Sequence, residues 1–217
     1  PTDLLLMRHG ESEINVAKTL YKLSPEDDRN IHLTAKGRSE VVKAAERLRS
    51  EKIQVIVASP ATRTKETAEL VAKSLDIGNF EIIPEFYDIL ISRNYEGRPE
   101  EEYKSQFQGW EEQFYKKPEG SENWRELRKR VMGGVKKIRE RFPGKKVLLI
   151  SHGDPSWVMM AALEGLAEND YRNIKYPRTS EVRKLKLHNW PYNQEGELDL
   201  HKPYLDSIKL RCDCGGE

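Results

Sequence analysis

Cysteine is nearly missing from this chain: Cys212 and Cys214 are the only two in 217 residues. They stand too close together for an ordinary disulfide and are too few for a framework, which excludes the small disulfide-stapled secreted folds and fits a reducing compartment. Long apolar runs are missing too. No stretch approaches the roughly 20 residues that a membrane-spanning helix needs, and no charged-then-apolar leader opens the chain, so the expectation is a soluble, cytoplasmic protein without a membrane partner. Neither sign of charge dominates, with 37 lysines and arginines against 36 aspartates and glutamates. That balance excludes a global field that would make nucleic acid or an anionic membrane the default partner, so anion binding must be local. An initiator methionine is absent as well; the chain opens at Pro1, and the expectation is processing or excision from something longer.

What is present is enough apolar content, 37 percent, for one substantial core and a small appendage. Four short apolar runs read as buried parallel strands: Leu4 to Met7, Val55 to Ala58, the weaker Phe80 to Ile83, and Val147 to Ile150. Helical patterns alternate with them. Residues 34–50 space Val41, Ala45 and Leu48 at helical intervals, and Trp124, Leu127, Val131, Val135, Ile138 and Phe142 form the clearest amphipathic stripe. Alternation of strand and helix predicts a three-layer α/β/α sandwich on a mostly parallel sheet. Residues 92–123 break the rhythm with acidic residues and Tyr95, Phe107, Trp110, Phe114 and Tyr115, and predict a small helical cap over the sheet edge.

Two strands end alike. RHGE, residues 8–11, follows the first, and SHGD, residues 151–154, follows the last. In a parallel sheet the carboxyl ends share one edge, where ligands usually bind, so His9 and His152 are expected to meet there from distant parts of the chain. The strand end is expected to face solvent, and a glycine after each histidine lets the backbone turn and approach a ligand. A third junction, VASPATRTKETA, places Ser59 as a candidate N-cap and Pro60 at the first helical position, with Arg63 in the first turn. A cation at the positive end of a helix is unfavourable unless an anion joins it. With Arg8 beside His9, this argues for a phosphate or carboxylate between the arginines.

These elements resemble the histidine phosphatase superfamily, also called phosphoglycerate mutase-like. RHGESEIN matches its Arg-His-Gly signature with the later serine and asparagine, SPATRTKETA its second arginine element, and LLISHGD its second histidine element. The three stand in the right order over residues 3–188, and RKLKLH resembles the closing strand. The resemblance implies His9 as nucleophile, forming a phosphohistidine that water hydrolyses. It implies Arg8 and Arg63 clamping the phosphoryl oxygens, His152 donating a further bond, and Asn15, Ser12 and Gly153 around the phosphate. No metal or other cofactor is implied, because the arginines and histidine meet the charge that magnesium meets elsewhere. The implied partner is a small phosphorylated substrate.

The leaving oxygen needs a proton, and the loop IIPEFYDILISRNYEGRP offers Glu85 and Asp88. Neither has the family's usual separation from Glu96-Gly97; the flanking apolar pattern favours Asp88 over Glu85 as the acid. The family's mutases carry a Glu-Arg-His-Tyr-Gly element, whereas SRNYEG has its arginine and tyrosine but lacks its first acid and its histidine, which favours hydrolysis over mutase chemistry. Residues 189–217 read differently. Asp-Leu-His-Lys-Pro, then Cys212, Cys214 and a glycine pair, resemble part of the catalytic region of isoleucyl-tRNA synthetases over residues 196–217. This predicts a phosphatase domain over 1–188 with a synthetase-like extension, or an accessory module in which tRNA contact comes only through a larger host polypeptide. Cys212 and Cys214, even with His201, give too few zinc ligands and read as free thiols.

Overall fold

The computed structural model describes residues 2–17, 19–20 and 31–187. Five strands form one sheet in the order β3-β2-β4-β1-β5: β1 Thr2–Arg8, β2 Val55–Ala58, β3 Glu81–Ile82, β4 Lys146–Ser151 and β5 Val182–Leu187. The first four are parallel, and β5 runs antiparallel beside β1. β1 and β4 are central neighbours in the register Leu4 to Val147 through Arg8 to Ser151. That register brings their two His-Gly junctions side by side.

Residue alternation along each strand feeds two cores. Leu4, Leu6, Val57, Val147 and Leu149 pack on α5 Trp124–Arg141 and α6 Gly153–Leu163. Leu5, Met7, Ile56, Leu148 and Ile150 pack on α2 Ala35–Leu48 and α3 Thr62–Leu75. The chain is therefore the expected three-layer α/β/α sandwich. Burial of both strand faces explains why these runs are continuously apolar.

Helix ends follow their sequence signals in two cases. Thr34 accepts the Gly37 amide to start α2, and Asn123 with Glu126 closes a capping box on α5. Two expectations need correcting. The third strand is two residues long instead of four, confined between Gly78 on one side and Pro84 on the other. The 92–123 region is mostly short turns: 3-10 turns at Arg93–Tyr95 and Trp110–Phe114, and one five-residue helix, α4 Glu100–Lys104. Gly97, Pro99, Gly109, Pro118 and Gly120 interrupt any longer helix there. α1 Glu13–Ala17 is a single turn after β1. Residues 188–217, with His201, Cys212 and Cys214, lie outside the described residues, so the synthetase-like segment does too.

Candidate active site

The carboxyl ends of β1 and β4 place His9 and His152 edge to face, with ring centroids 5.3 Å apart. Neither faces solvent: His9 is 2% exposed and His152 0%. The turn before β5 pins this corner, because the Ser180 amide donates to both the Arg8 and the His9 carbonyls. His9 Nδ1 lies 2.7 Å from the carbonyl oxygen of Gly10. A carbonyl only accepts, so Nδ1 carries the proton and Nε2 keeps its lone pair. Burial, then Arg63, His152 and Arg8, holds the His9 pKa well below the ordinary 6.5. The ring is neutral at physiological pH. Burial, followed by Arg63, Arg8 and Arg130, pushes His152 down in the same way.

Ser59 does not cap α3. That helix starts at Thr62 with Ala61 at its N-cap and no side-chain cap. The Ser59 hydroxyl instead lies 2.7 Å from His152 Nε2, where a buried imidazole nitrogen would otherwise go unpaired. With Nε2 engaged, Nδ1 is the ring nitrogen turned to the site, 3.5 Å from Asp88 Oδ2. Arg63 keeps its place in the first turn of α3. Its fully buried guanidinium donates through Nη2 to Asp88 Oδ2 at 3.1 Å.

The two loop acids separate clearly. Asp88 stands between Arg63 and His152, whereas the Glu85 carboxylate is ion-paired with Lys137 on α5. Arg130 fixes this loop, donating to the carbonyls of Glu85, Tyr87 and Asp88 and to both oxygens of Glu122. Asn15 and Ser12 are joined to each other: the Ser12 amide and hydroxyl both donate to Asn15 Oδ1, at 3.0 and 2.9 Å. This leaves the Asn15 amide hydrogens for an anion, while Ser12 is fully buried behind them.

Gly153 has a tight neighbour. A Cβ there would lie 2.0 Å from the Tyr176 hydroxyl, so only glycine admits the tyrosine at this point. Tyr176 donates to Asp154 Oδ1 at 2.9 Å, and the Arg8 guanidinium lies 5.5 Å over its ring while donating to the Pro177 carbonyl. Asp154 and Tyr176, with Arg8, Ile91, Tyr103 and Trp157, bound a cleft of about 510 Å³ under the 92–123 region. A second cavity of about 600 Å³ opens on the other side of Arg8, bounded by Asn15, Lys36, Lys43 and Arg178 among others. Asp154 and Tyr176 escaped the sequence reading, although Asp154 completes the SHGD motif. Tyr176 carries no periodic or motif signal.

The histidine phosphatase superfamily (branch 1) model aligns with residues 4–191. The chain belongs to this superfamily. Among relatives, it is 30% identical over 167 residues to the uncharacterized phosphatase PhoE of Bacillus subtilis, covering 76% of this chain and 78% of that one. It is 31% identical over 219 residues to the probable phosphoglycerate mutase GpmB of Salmonella typhi, covering 94% and 97%. Solved structures share the fold. Bacillus stearothermophilus YhfR superposes with a TM-score of 0.73 at 24% identity, over 88% of this chain and 93% of that one. A mycobacterial glucosyl-3-phosphoglycerate phosphatase with VO3 does so with a TM-score of 0.74 at 19% identity, over 94% of both.

Proposed function

We propose that this histidine phosphatase superfamily member is a phosphomonoester hydrolase that works through a phosphohistidine on His9, without a metal ion. The observation that carries the reading is the Gly10 carbonyl on His9 Nδ1, which leaves Nε2 as a lone pair in a buried ring surrounded by cations. Nε2 attacks phosphorus in line with the departing ester oxygen. Arg8, Arg63, the Asn15 amide and His152 Nδ1 hold the equatorial oxygens as their charge builds. Water then displaces the imidazole and releases phosphate. Hydrolysis is favoured over mutase chemistry by SRNYEG, which keeps only part of the mutase element; GpmB, a probable phosphoglycerate mutase, keeps the alternative in view.

Rapid quenching with labelled para-nitrophenyl phosphate tests this. An acid-labile, alkali-stable phosphoenzyme should form in the wild type and be absent from His9→Ala, whose turnover should drop roughly a thousandfold or more. Turnover in His9→Ala within about tenfold of wild type removes His9 as nucleophile. Activity should survive EDTA and be blocked by vanadate; strict dependence on added magnesium would sink the metal-free part.

The extension over residues 189–217 and its synthetase-like host are part of the same proposal, supported by the residue pattern of 196–217 alone. Immunoblotting of the source cells should show the domain in a polypeptide far larger than 25.2 kDa. A band at the mass of the isolated domain would remove both the host and any route to tRNA.

A further inference from the structure

We propose that Tyr176 is a positioning residue whose ring fixes the plane of the Arg8 guanidinium, so that this arginine meets the phosphoryl group in one orientation. The inference rests on the reading above only for Arg8 as a phosphoryl ligand, and goes beyond it by assigning what holds that arginine. Two strand ends meet at this tyrosine. The guanidinium carbon of Arg8, at the end of β1, lies 5.5 Å from the centroid of the ring. The hydroxyl donates to Asp154 Oδ1 at 2.9 Å, just past the end of β4. On that side the fit is close, since a Cβ on Gly153 would lie 2.0 Å from the hydroxyl.

Residues 174–177 act as a strap that carries the ring. Trp157 Nε1 on α6 donates to the Ile174 carbonyl at 2.9 Å, Tyr176 reaches Asp154 in the first turn of the same helix, and Arg8 Nη1 donates to the Pro177 carbonyl at 2.9 Å. The segment is therefore tied to one helix at two points and to the end of β1 at a third.

Arg8 needs this support more than Arg63 does. Arg63 is aimed by its bond to Asp88. Arg8 has the Pro177 carbonyl, while its Nε is buried without a hydrogen-bond partner among the described residues. A guanidinium held by one carbonyl can swing about that contact. A ring against its face removes the freedom without occupying an N–H and without a counter-charge, so the rest of the fork and its full charge stay available to phosphoryl oxygens. The hydrogen bond from the Tyr176 hydroxyl to a carboxyl oxygen polarises the ring in the direction that strengthens its hold on a cation. Packing alone does not account for the ring: it is 45% exposed, and Trp157, 6.3 Å behind it, already closes the core.

The test measures inhibition by inorganic phosphate, together with kcat/KM for para-nitrophenyl phosphate and β-glycerophosphate, in wild type, Tyr176→Phe and Tyr176→Leu. Tyr176→Leu should raise the inhibition constant of phosphate and lower kcat/KM on both esters, each by about tenfold. Tyr176→Phe keeps the ring face and should stay within about threefold of wild type on all three measures. In an Arg8→Met background, Tyr176→Leu should cost less than about twofold, because no guanidinium is left to aim. Tyr176→Gln at this half-exposed position gives the same comparison should Tyr176→Leu fail to fold. Tyr176 also walls the 510 Å³ cleft. A loss that differs between the two esters and leaves phosphate inhibition unchanged would make it a contact for the alcohol body and overturn the proposal. Tyr176→Phe as damaging as Tyr176→Leu, or an undiminished loss in the Arg8→Met background, would overturn it too. Phosphate inhibition does not pass through a phosphoenzyme, so failure to trap one in wild type would bring down the phosphohistidine reading and leave this one standing.

Discussion

Arg63 is the residue on which the site turns. It is fully buried, and a buried guanidinium is tolerated only with anionic and hydrogen-bonding partners, of which Asp88 is one. Lysine in its place offers a point charge without the planar fork. Arg63→Lys is therefore expected to keep the fold and to lower kcat/KM on para-nitrophenyl phosphate roughly 100-fold. Loss of less than about fivefold would mean that the fork does not hold the phosphoryl group. At this scale the sequence was legible as placement wherever a candidate residue sits in a short contiguous motif: Arg8, His9, Arg63 and His152 lie at one corner of the sheet edge. It was not legible where a contact arises from a tertiary meeting. Asp154 touches Tyr176 22 positions away, and Ser59 touches His152 93 positions away. Nothing in local pattern distinguishes Ser59 as a histidine partner from Ser59 as a helix cap.

At the level of elements, the strand ends carry the candidate site and α5 holds the loop beside it. Arg130 joins α5 to three carbonyls of residues 85–88 and to Glu122, so one side chain sets the position of Asp88. Arg130→Met keeps the aliphatic bulk but strands those carbonyls and the Glu122 carboxylate, which is 9% exposed. The expected loss is about 3 kcal/mol, or roughly 6 to 12 °C in Tm for a domain of this size, together with reduced kcat. An unchanged Tm would show that α5 does not clamp the loop. The sandwich itself was readable because continuous apolar runs, helical stripes and Gly or Pro punctuation agree with one another. β3 was overread because Phe80 and Ile83 are apolar for packing reasons beyond the two residues that pair with β2. The cap was overread as helical because acidic and aromatic residues fit helices and turns equally well; its glycines and prolines decided the matter.

Across the whole molecule, the buried groups of the site make stability depend on pH from two sides. His9 and His152 are held neutral, with pKa values well below the usual 6.5. The unfolded chain binds protons there that the folded one refuses, so their contribution is present above 6.5 and is lost as pH falls below it. Asp154 works in the other sense. Its folded pKa of about 6 lies above the usual 3.8, so its contribution is present below 3.8 and is lost as pH rises through about 6. Above that pH, folding has to hold a partly desolvated, ionised carboxylate in the field of Asp88. Asp154→Asn removes this penalty while keeping the side chain's shape and its bond from Tyr176. Its Tm should exceed that of wild type by a few degrees at pH 8, and the gain should shrink to nothing near pH 4. Calorimetric scans of the two proteins at both pH values decide it. A gain of equal size at pH 4 and 8 would come from packing and not from charge, and no gain at pH 8 would show that Asp154 ionises freely.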